Sequence, residues 1–344
     1  MHPFNRILYF YLAMLLSSNF LVSSAAGQTM GAMDSHTRPR VRTEKLEIPS
    51  SVVCPSFRPA LSPGDASDCD QIRQAIQKNR TWEAGRMASG LIGRLPLSGL
   101  GDFWLGLIEL REGECASGVR HLEKAVERNP ELPLVHVGLA LGFLAKGEAL
   151  FCEQKMRWVI EHFPRESLSS YFLGRYYSEV VDRSDEGAGL LLRALSVNPE
   201  DFRPRFHLGL NFEMKGDFPR AREEYLRASA QVAAQQETYA YPLEGLARLD
   251  WKQQNPAGAL RYARQAVSVD PQLPSSRLML GNLFLQTGDT VRSISELKAA
   301  AELDPADAAP HYMLARAYRK MKKLPEAQRE EEIFSRLKRS GGEE

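Results

Sequence analysis

The sequence predicts an all-α protein, a right-handed α-solenoid of about seven to eight helical hairpins, on three observations. Prolines recur at a near-constant interval: Pro96, Pro130 and Pro164 are 34 residues apart, Pro199 follows at 35, and Pro271 and Pro305 are again 34 apart. Small residues recur at fixed places between them, and in several units a glycine falls where a first helix should turn into a second. A fixed period near 34 marks a stack of helix pairs in which each repeat buries its apolar face only against its neighbours.

Each unit reads in four parts. The first helix carries an apolar residue followed by Gly or Ala, as Leu105-Gly106, Leu139-Ala140, Leu246-Ala247 and Leu280-Gly281. A glycine inside a helix costs roughly 1 kcal/mol relative to alanine, so its repetition at one place predicts a helix crossing too close for a larger side chain. The turn follows at Gly113, Gly147 and Gly288, where a left-handed residue satisfies the last carbonyls of the helix. The second helix carries a small residue near its start (Ala84, Gly118, Cys152, Ala259) and another near its end (Ala125, Ala194, Ala266, Ala300). The closing proline ends it, because the residue before a proline is pushed out of helical geometry.

Two steps break the period. Pro199 and Pro271 are 72 residues apart, so a middle proline is missing, and Gln231–Ala240 reads as a lengthened helix end and loop. One extra residue falls near Val181–Asp185. The first unit, Ser67–Leu95, lacks the small pair of the first helix, as terminal repeats often do.

These residues resemble the tetratricopeptide repeat. Leu208-Gly209, Phe212, Gly216, Ala221, Tyr225 and Ala228 follow its pattern, as do Leu314-Ala315, Tyr318 and Ala327. The resemblance covers about residues 67–338. The pentatricopeptide repeat, which reads RNA, is the nearest confusable family, but its period of 35 fits only one of the intervals.

Forty-four basic and 43 acidic residues give a net charge of +1, so no strong field for nucleic acid or an anionic membrane is expected. The amino terminus is distinct. Arg6 precedes the apolar run Ile7–Leu16, and small residues Ser23-Ser24-Ala25-Ala26 follow, the order of a secretory signal peptide. Residues 1–26 are therefore expected to be a signal cleaved after Ala26, the alternative being an uncleaved anchor over Ile7–Val22. Residues 27–66 read as an extended or disordered leader, 67–338 as the solenoid and 339–344 as a tail. The expected location is exported, periplasmic or secreted. In such a compartment cysteines tend to pair; of the four, Cys54 and Cys69 are the disulfide candidates, while Cys115 and Cys152 open the second helices of adjacent repeats and Cys152 reads as a buried thiol.

The motifs of chemistry are missing. There is no Cys-x-x-Cys, Gly-rich phosphate loop, His-Glu-x-x-His or Gly-x-Ser-x-Gly. No enzyme activity, cofactor or metal site is expected. The histidines, His121, His136 and His162 among them, read as solvated or helix-end residues. Asn79-Arg80-Thr81 matches a glycosylation acceptor. The basic stretch Arg316–Lys323 has only Tyr312 and Tyr318 beside it and reads as a solvated helix face.

In tetratricopeptide proteins first helices line a concave groove that holds extended or helical peptides, and the resemblance carries that role onto this chain. Its implied peptide-binding residues are Phe103, Leu107, Val137, Leu141, Tyr171, Arg175, Phe206, Tyr241, Arg248, Asn282, Tyr312 and Arg316. With Leu100, Leu110, Leu134 and Leu144 the early ones would form an apolar, water-facing wall, and such a patch usually marks a binding site. The partner expected is a protein or peptide, with no nucleic acid, and with a membrane only if the signal segment is retained. Two occupants are open: a partner segment, or the chain's own Leu46–Val53, which would make the protein a structural part of a cell-envelope assembly. The arginines of the groove have an internal alternative, pairing with acids of the neighbouring repeat.

Overall fold

The computed structural model describes residues 63–77, 80–181 and 183–340. Among them are sixteen helices and no strand, arranged as eight consecutive hairpins. They fall into two compact units, divided between Asn198 and Pro199. Unit 1 holds α1 (Pro63–Gln77), α2 (Thr81–Arg94), α3 (Leu100–Glu112), α4 (Cys115–Arg128), α5 (Pro133–Lys146), α6 (Ala149–His162), α7 (Leu168–Glu179) and α8 (Ser184–Val197). Unit 2 holds α9 (Phe202–Met214), α10 (Phe218–Ala234), α11 (Tyr241–Lys252), α12 (Pro256–Val269), α13 (Pro274–Thr287), α14 (Thr290–Leu303), α15 (Ala309–Lys320) and α16 (Leu324–Ser340). The signal, most of the leader, the Cys54 half of the candidate disulfide and Asn79 lie outside the described residues. No described helix is long and apolar enough to cross a membrane.

Within each unit every helix packs on the next, and first helices also touch first helices, α3 with α5 and α9 with α11 with α13 with α15. The small residues are where the pairs cross. A β-carbon on Gly106 would stand 2.7 Å from Leu122 Cγ and 2.9 Å from the Gly118 carbonyl, and one on Gly281 would stand 2.7 Å from Leu297 Cγ. Ala84, Ala125, Ala194, Ala259, Ala266 and Ala300, the recurring small residues of the second helices, are all fully buried. Cys115 and Cys152 are free and buried, and burial pushes the Cys152 thiol up to about 12. Cys69 is buried on α1.

The hairpin turns share one design. Gly113 is left-handed at φ 87, and the amide of the next residue reaches back to the Glu109 carbonyl at 2.8 Å. Gly147, Gly216 and Gly288 repeat it, and Gln254 and Lys322 hold the same left-handed place without glycine, at φ 58 and 59. The extra residue near Val181–Asp185 is absorbed in the α7–α8 turn: there the closing bond runs from the Arg183 amide to the Tyr177 carbonyl, one residue longer than from Glu114 to Glu109. The break after Pro199 is also accounted for. Helix α10 runs on for 17 residues to Ala234 and ends at a left-handed Gln236, φ 56.

Hairpins are tied by side chains near the ladder prolines. Asn129 donates to the Ser98 carbonyl, and Gln231 Nε2 donates to the Pro199 carbonyl at 2.7 Å. Six residues after the proline, a first-helix side chain returns to the proline's own carbonyl: His136 to Pro130 at 2.7 Å, Arg205 to Pro199 at 3.4 Å and Arg277 to Pro271 at 2.9 Å.

The Tyr225 ring of α10 fills the space beside two glycines. A β-carbon on Gly209 of α9 or Gly245 of α11 would stand 2.6 Å from it. Gly245→Ala is expected to destabilise unit 2 by about 1–3 kcal/mol through overpacking, despite a gain of roughly 1 kcal/mol in helix propensity. Gly189→Ala, on exposed helix surface with nothing within 4 Å, is expected to stabilise the chain, both read from denaturant midpoints.

Candidate functional site

The expected residues lie on the first helices, and each unit treats them differently. In unit 1 the water-facing apolar wall is not there: Leu100, Phe103, Leu107, Leu110, Val137, Leu141 and Leu144 are all buried. The cause is packing of first helices on each other and on their partners. The Phe103 ring lies where a β-carbon on Gly138 would be 3.0 Å from it, and Leu110 fills the space beside Gly118. Leu141 and Leu144, with Cys152, Met156, Phe172, Leu173 and Tyr176, line a gap of about 10 Å³. That is room for about one water, far below the size of a ligand pocket. Tyr171 and Arg175 are buried together: Arg175 Nη1 donates to Tyr171 Oη at 3.2 Å and the guanidinium pairs with Glu179 at 3.8 Å.

In unit 2 Phe206 is buried among aromatic rings, with centroids 5.9 Å from Tyr225, 5.7 Å from Tyr239 and 5.8 Å from Tyr241. Arg248 is also buried. Its Nε donates to Glu213 Oε1 at 2.8 Å and its Nη2 to Glu213 Oε2 at 2.7 Å, a two-pronged pair between α11 and α9. Lys252 Nζ reaches Glu213 Oε1 at 2.8 Å, and Tyr225 Oη donates to Glu213 Oε2 at 2.8 Å. The internal alternative therefore holds for Arg248, whereas Arg175 pairs with Glu179 of its own helix.

Burial by itself would raise the Glu213 carboxyl. The Arg248 charge, its hydrogen bonds and Lys252 overcome that and hold the group down at about 2. Burial of Tyr225 raises its phenol well above the ordinary range.

Beside this pair lies a carboxylate absent from the expected set. Glu244, one turn before Arg248 on α11, is fully buried; its Oε1 accepts from Ser275 Oγ at 2.8 Å and Ser276 Oγ at 2.6 Å. Burial pushes this carboxyl up, against the two serine hydrogen bonds. Its Oε2 and Arg248 Nη1 have no hydrogen-bond partner. An acceptor and a donor are thus unsatisfied four residues apart on one first helix. The four-residue spacing of Glu244 and Arg248 was visible in the sequence; that their spare atoms are left over was not.

The carboxyl-terminal places are more open. Asn282 is half-buried and accepts from Gln286 Nε2 at 3.2 Å. Tyr312 is half-buried, 5.5 Å from the Phe334 ring, and the exposed Arg316 stands 5.8 Å above it. In the basic stretch Arg319 pairs with Glu331 at 2.5 Å and Lys320 Nζ donates to the Leu285 carbonyl at 3.2 Å. Among the described residues no group of three or more His, Cys, Asp or Glu is placed to hold a metal ion. His136, expected at the surface or a helix end, is buried against Trp158 and Phe163 instead.

Because Glu213 sits near 2 when folded and at 4.5 when free, its contribution to stability is complete above about pH 4.5. It is lost as pH falls toward 2. Glu213→Ala is expected to cost about 3–5 kcal/mol by leaving a buried guanidinium unpaired. Glu213→Gln is expected to flatten the acid limb of unit 2 stability, measured by urea unfolding at stepped pH.

The tetratricopeptide repeat family model matches residues 181–237 and 245–308. The chain is 23% identical over 158 residues to the CTR9 homolog of Arabidopsis thaliana, covering 46% of this chain and 13% of that protein. It is 25% identical over 224 residues to tetratricopeptide repeat protein 37 of Xenopus laevis, covering 62% of this chain and 14% of that one. The chain thus spans about a seventh of the length of these curated relatives. Its fold is similar to that of yeast Tom70, with a TM-score of 0.58, 14% identity, and coverage of 79% of this chain and 56% of that one. Residues 181–237 and 245–308 thus match the tetratricopeptide repeat, and the same helical-hairpin architecture continues through the described residues on either side.

Proposed function

We propose that this chain is an exported, non-enzymatic scaffold that holds a protein or peptide segment on the first-helix face of its repeats. The observation that carries the reading is the more open carboxyl-terminal first-helix row, where Asn282 and Tyr312 are half-buried and Arg316 is exposed. A peptide backbone offers a carbonyl and an N–H that such side chains can bond. Glu244 Oε2 and Arg248 Nη1 lie deeper on the same row, unsatisfied but enclosed by the packing. The amino-terminal signal pattern supports export, and Cys54 with Cys69 is the disulfide that an oxidising compartment would form.

The test is site-specific photocrosslinking in cells, with the crosslinker at Asn282 or Arg316 and, as a control, at Val291, which is 69% exposed on second helix α14. The expected outcome is a crosslink to a separate envelope protein from 282 and 316 and none from 291. The same mass spectra should show a chain beginning at Gly27 with Cys54 joined to Cys69. Crosslinks from 291 alone, or from 282 and 316 only to the chain's own residues 46–53, would overturn the groove reading. An intact Met1 with both thiols free would overturn export.

A further inference from the structure

The ties from first-helix side chains to the ladder prolines differ in one chemical respect. Arg205 and Arg277 make them with a guanidinium that keeps its charge at any ordinary pH, whereas in unit 1 the tie to Pro130 is made by a histidine. His136 is 4% exposed. A carbonyl only accepts, so the hydrogen at the 2.7 Å contact sits on His136 Nε2. In the neutral ring Nδ1 is then a bare acceptor, and it is buried without a partner.

The ring is held by aromatic neighbours. Its centroid is 4.7 Å from Trp158 and 6.0 Å from Phe163, and His162 stacks on the same indole at 4.3 Å and 22°. His162 Nδ1 faces the Trp158 carbonyl at 2.8 Å and so carries its hydrogen there. The charged groups acting on His136 are Lys155 of α6, which repels a second proton, and Glu131 of the α4–α5 loop, which attracts it. Around α5, Phe103 of α3 packs on Gly138, and Val119 and Leu122 of α4 pack on Gly142, so these neighbours are apolar. A proton added at Nδ1 would therefore be an N–H with no acceptor, in a ring packed between aromatic side chains and near an ammonium group.

We propose that His136 is an acid-released latch: its protonation expels the ring from between the Pro130 carbonyl and Trp158, loosening the α4–α5 loop and the carboxyl end of α6. Burial is the largest influence on the group and lowers its affinity for a proton in the folded chain, with Lys155 adding to it, against the Pro130 bond and Glu131. The folded value thus lies below the free value of 6.5. The latch is closed above that free value and is lost as pH falls through the folded one. Between the free and the folded value each unit of pH shifts the opening equilibrium by up to roughly tenfold, and below the folded value the shift levels off.

The full chain, compared with its His136→Gln and His162→Gln variants, tests this by tryptophan emission and urea midpoint at about pH 7.5 and about pH 5, a span that brackets ordinary histidine titration. Glutamine keeps the donor to Pro130 and does not titrate. On acidification the wild type should shift its emission to the red and lose urea midpoint. His136→Gln should lose most of that response and His162→Gln should keep it. A response of full size in His136→Gln, or none in the wild type, overturns the latch. Should His136→Gln fail to fold, NMR titration of the wild-type imidazole decides: a His136 value at or above 6.5 contradicts it, and a lower value coinciding with the emission change supports it.

Discussion

The second unit depends on how a tyrosine ring is accommodated between helices. Tyr225 meets α9 at Gly209 and α11 at Gly245, where neither helix leaves room for a β-carbon. That close approach brings its hydroxyl to Glu213, and a buried hydroxyl without a partner would be costly. Glu213 in turn is a buried charge and needs a counter-charge, which Arg248 and Lys252 of the next hairpin supply. The glycines, the ring, the carboxylate and the guanidinium are therefore one constraint. It fixes the register of α9, α10 and α11, and with it the place where Glu244 and the spare Arg248 nitrogen end up.

Much of the fold was legible because it is written in backbone requirements. A proline ends a helix wherever it stands, a left-handed turn favours glycine, and a close crossing demands a small residue. Gly106 and Gly281, read as crossing points, are crossing points, and the recurring alanines of the second helices are fully buried. The long α10 after Pro199 and the stretched turn at Arg183 appeared where the period slipped. Gln254 and Lys322 were not legible as left-handed turn residues, because a side chain that tolerates the strained geometry carries no signature of it.

The interaction surface was less legible. Family spacing places a residue on a first helix but does not say how much of that helix the neighbours cover. Helix α5, Pro133-Leu134-Val135-His136-Val137-Gly138-Leu139-Ala140-Leu141, is apolar all round, and such a helix is buried on most sides. That composition was the available signal that Val137 and Leu141 belong to the interior. Glu179 stands four residues after Arg175, a same-helix spacing visible in the sequence. Arg248 carried no such signal, since its role is set by Glu213 and only the fold shows that carboxylate within reach. His136 was misread for the same reason: its tie to Pro130 and its aromatic surroundings come from helix ends that meet only after folding.

Native-state hydrogen exchange of unit 2 tests the dependence on the Tyr225 contact most directly. If that contact organises the unit, the amides of Gly209–Glu213, Tyr225–Ala228 and Gly245–Arg248 will be the slowest to exchange, and Gly245→Ala will speed all three segments together. Exchange in these segments as fast as in α16, or a variant that speeds only its own helix, would contradict the account.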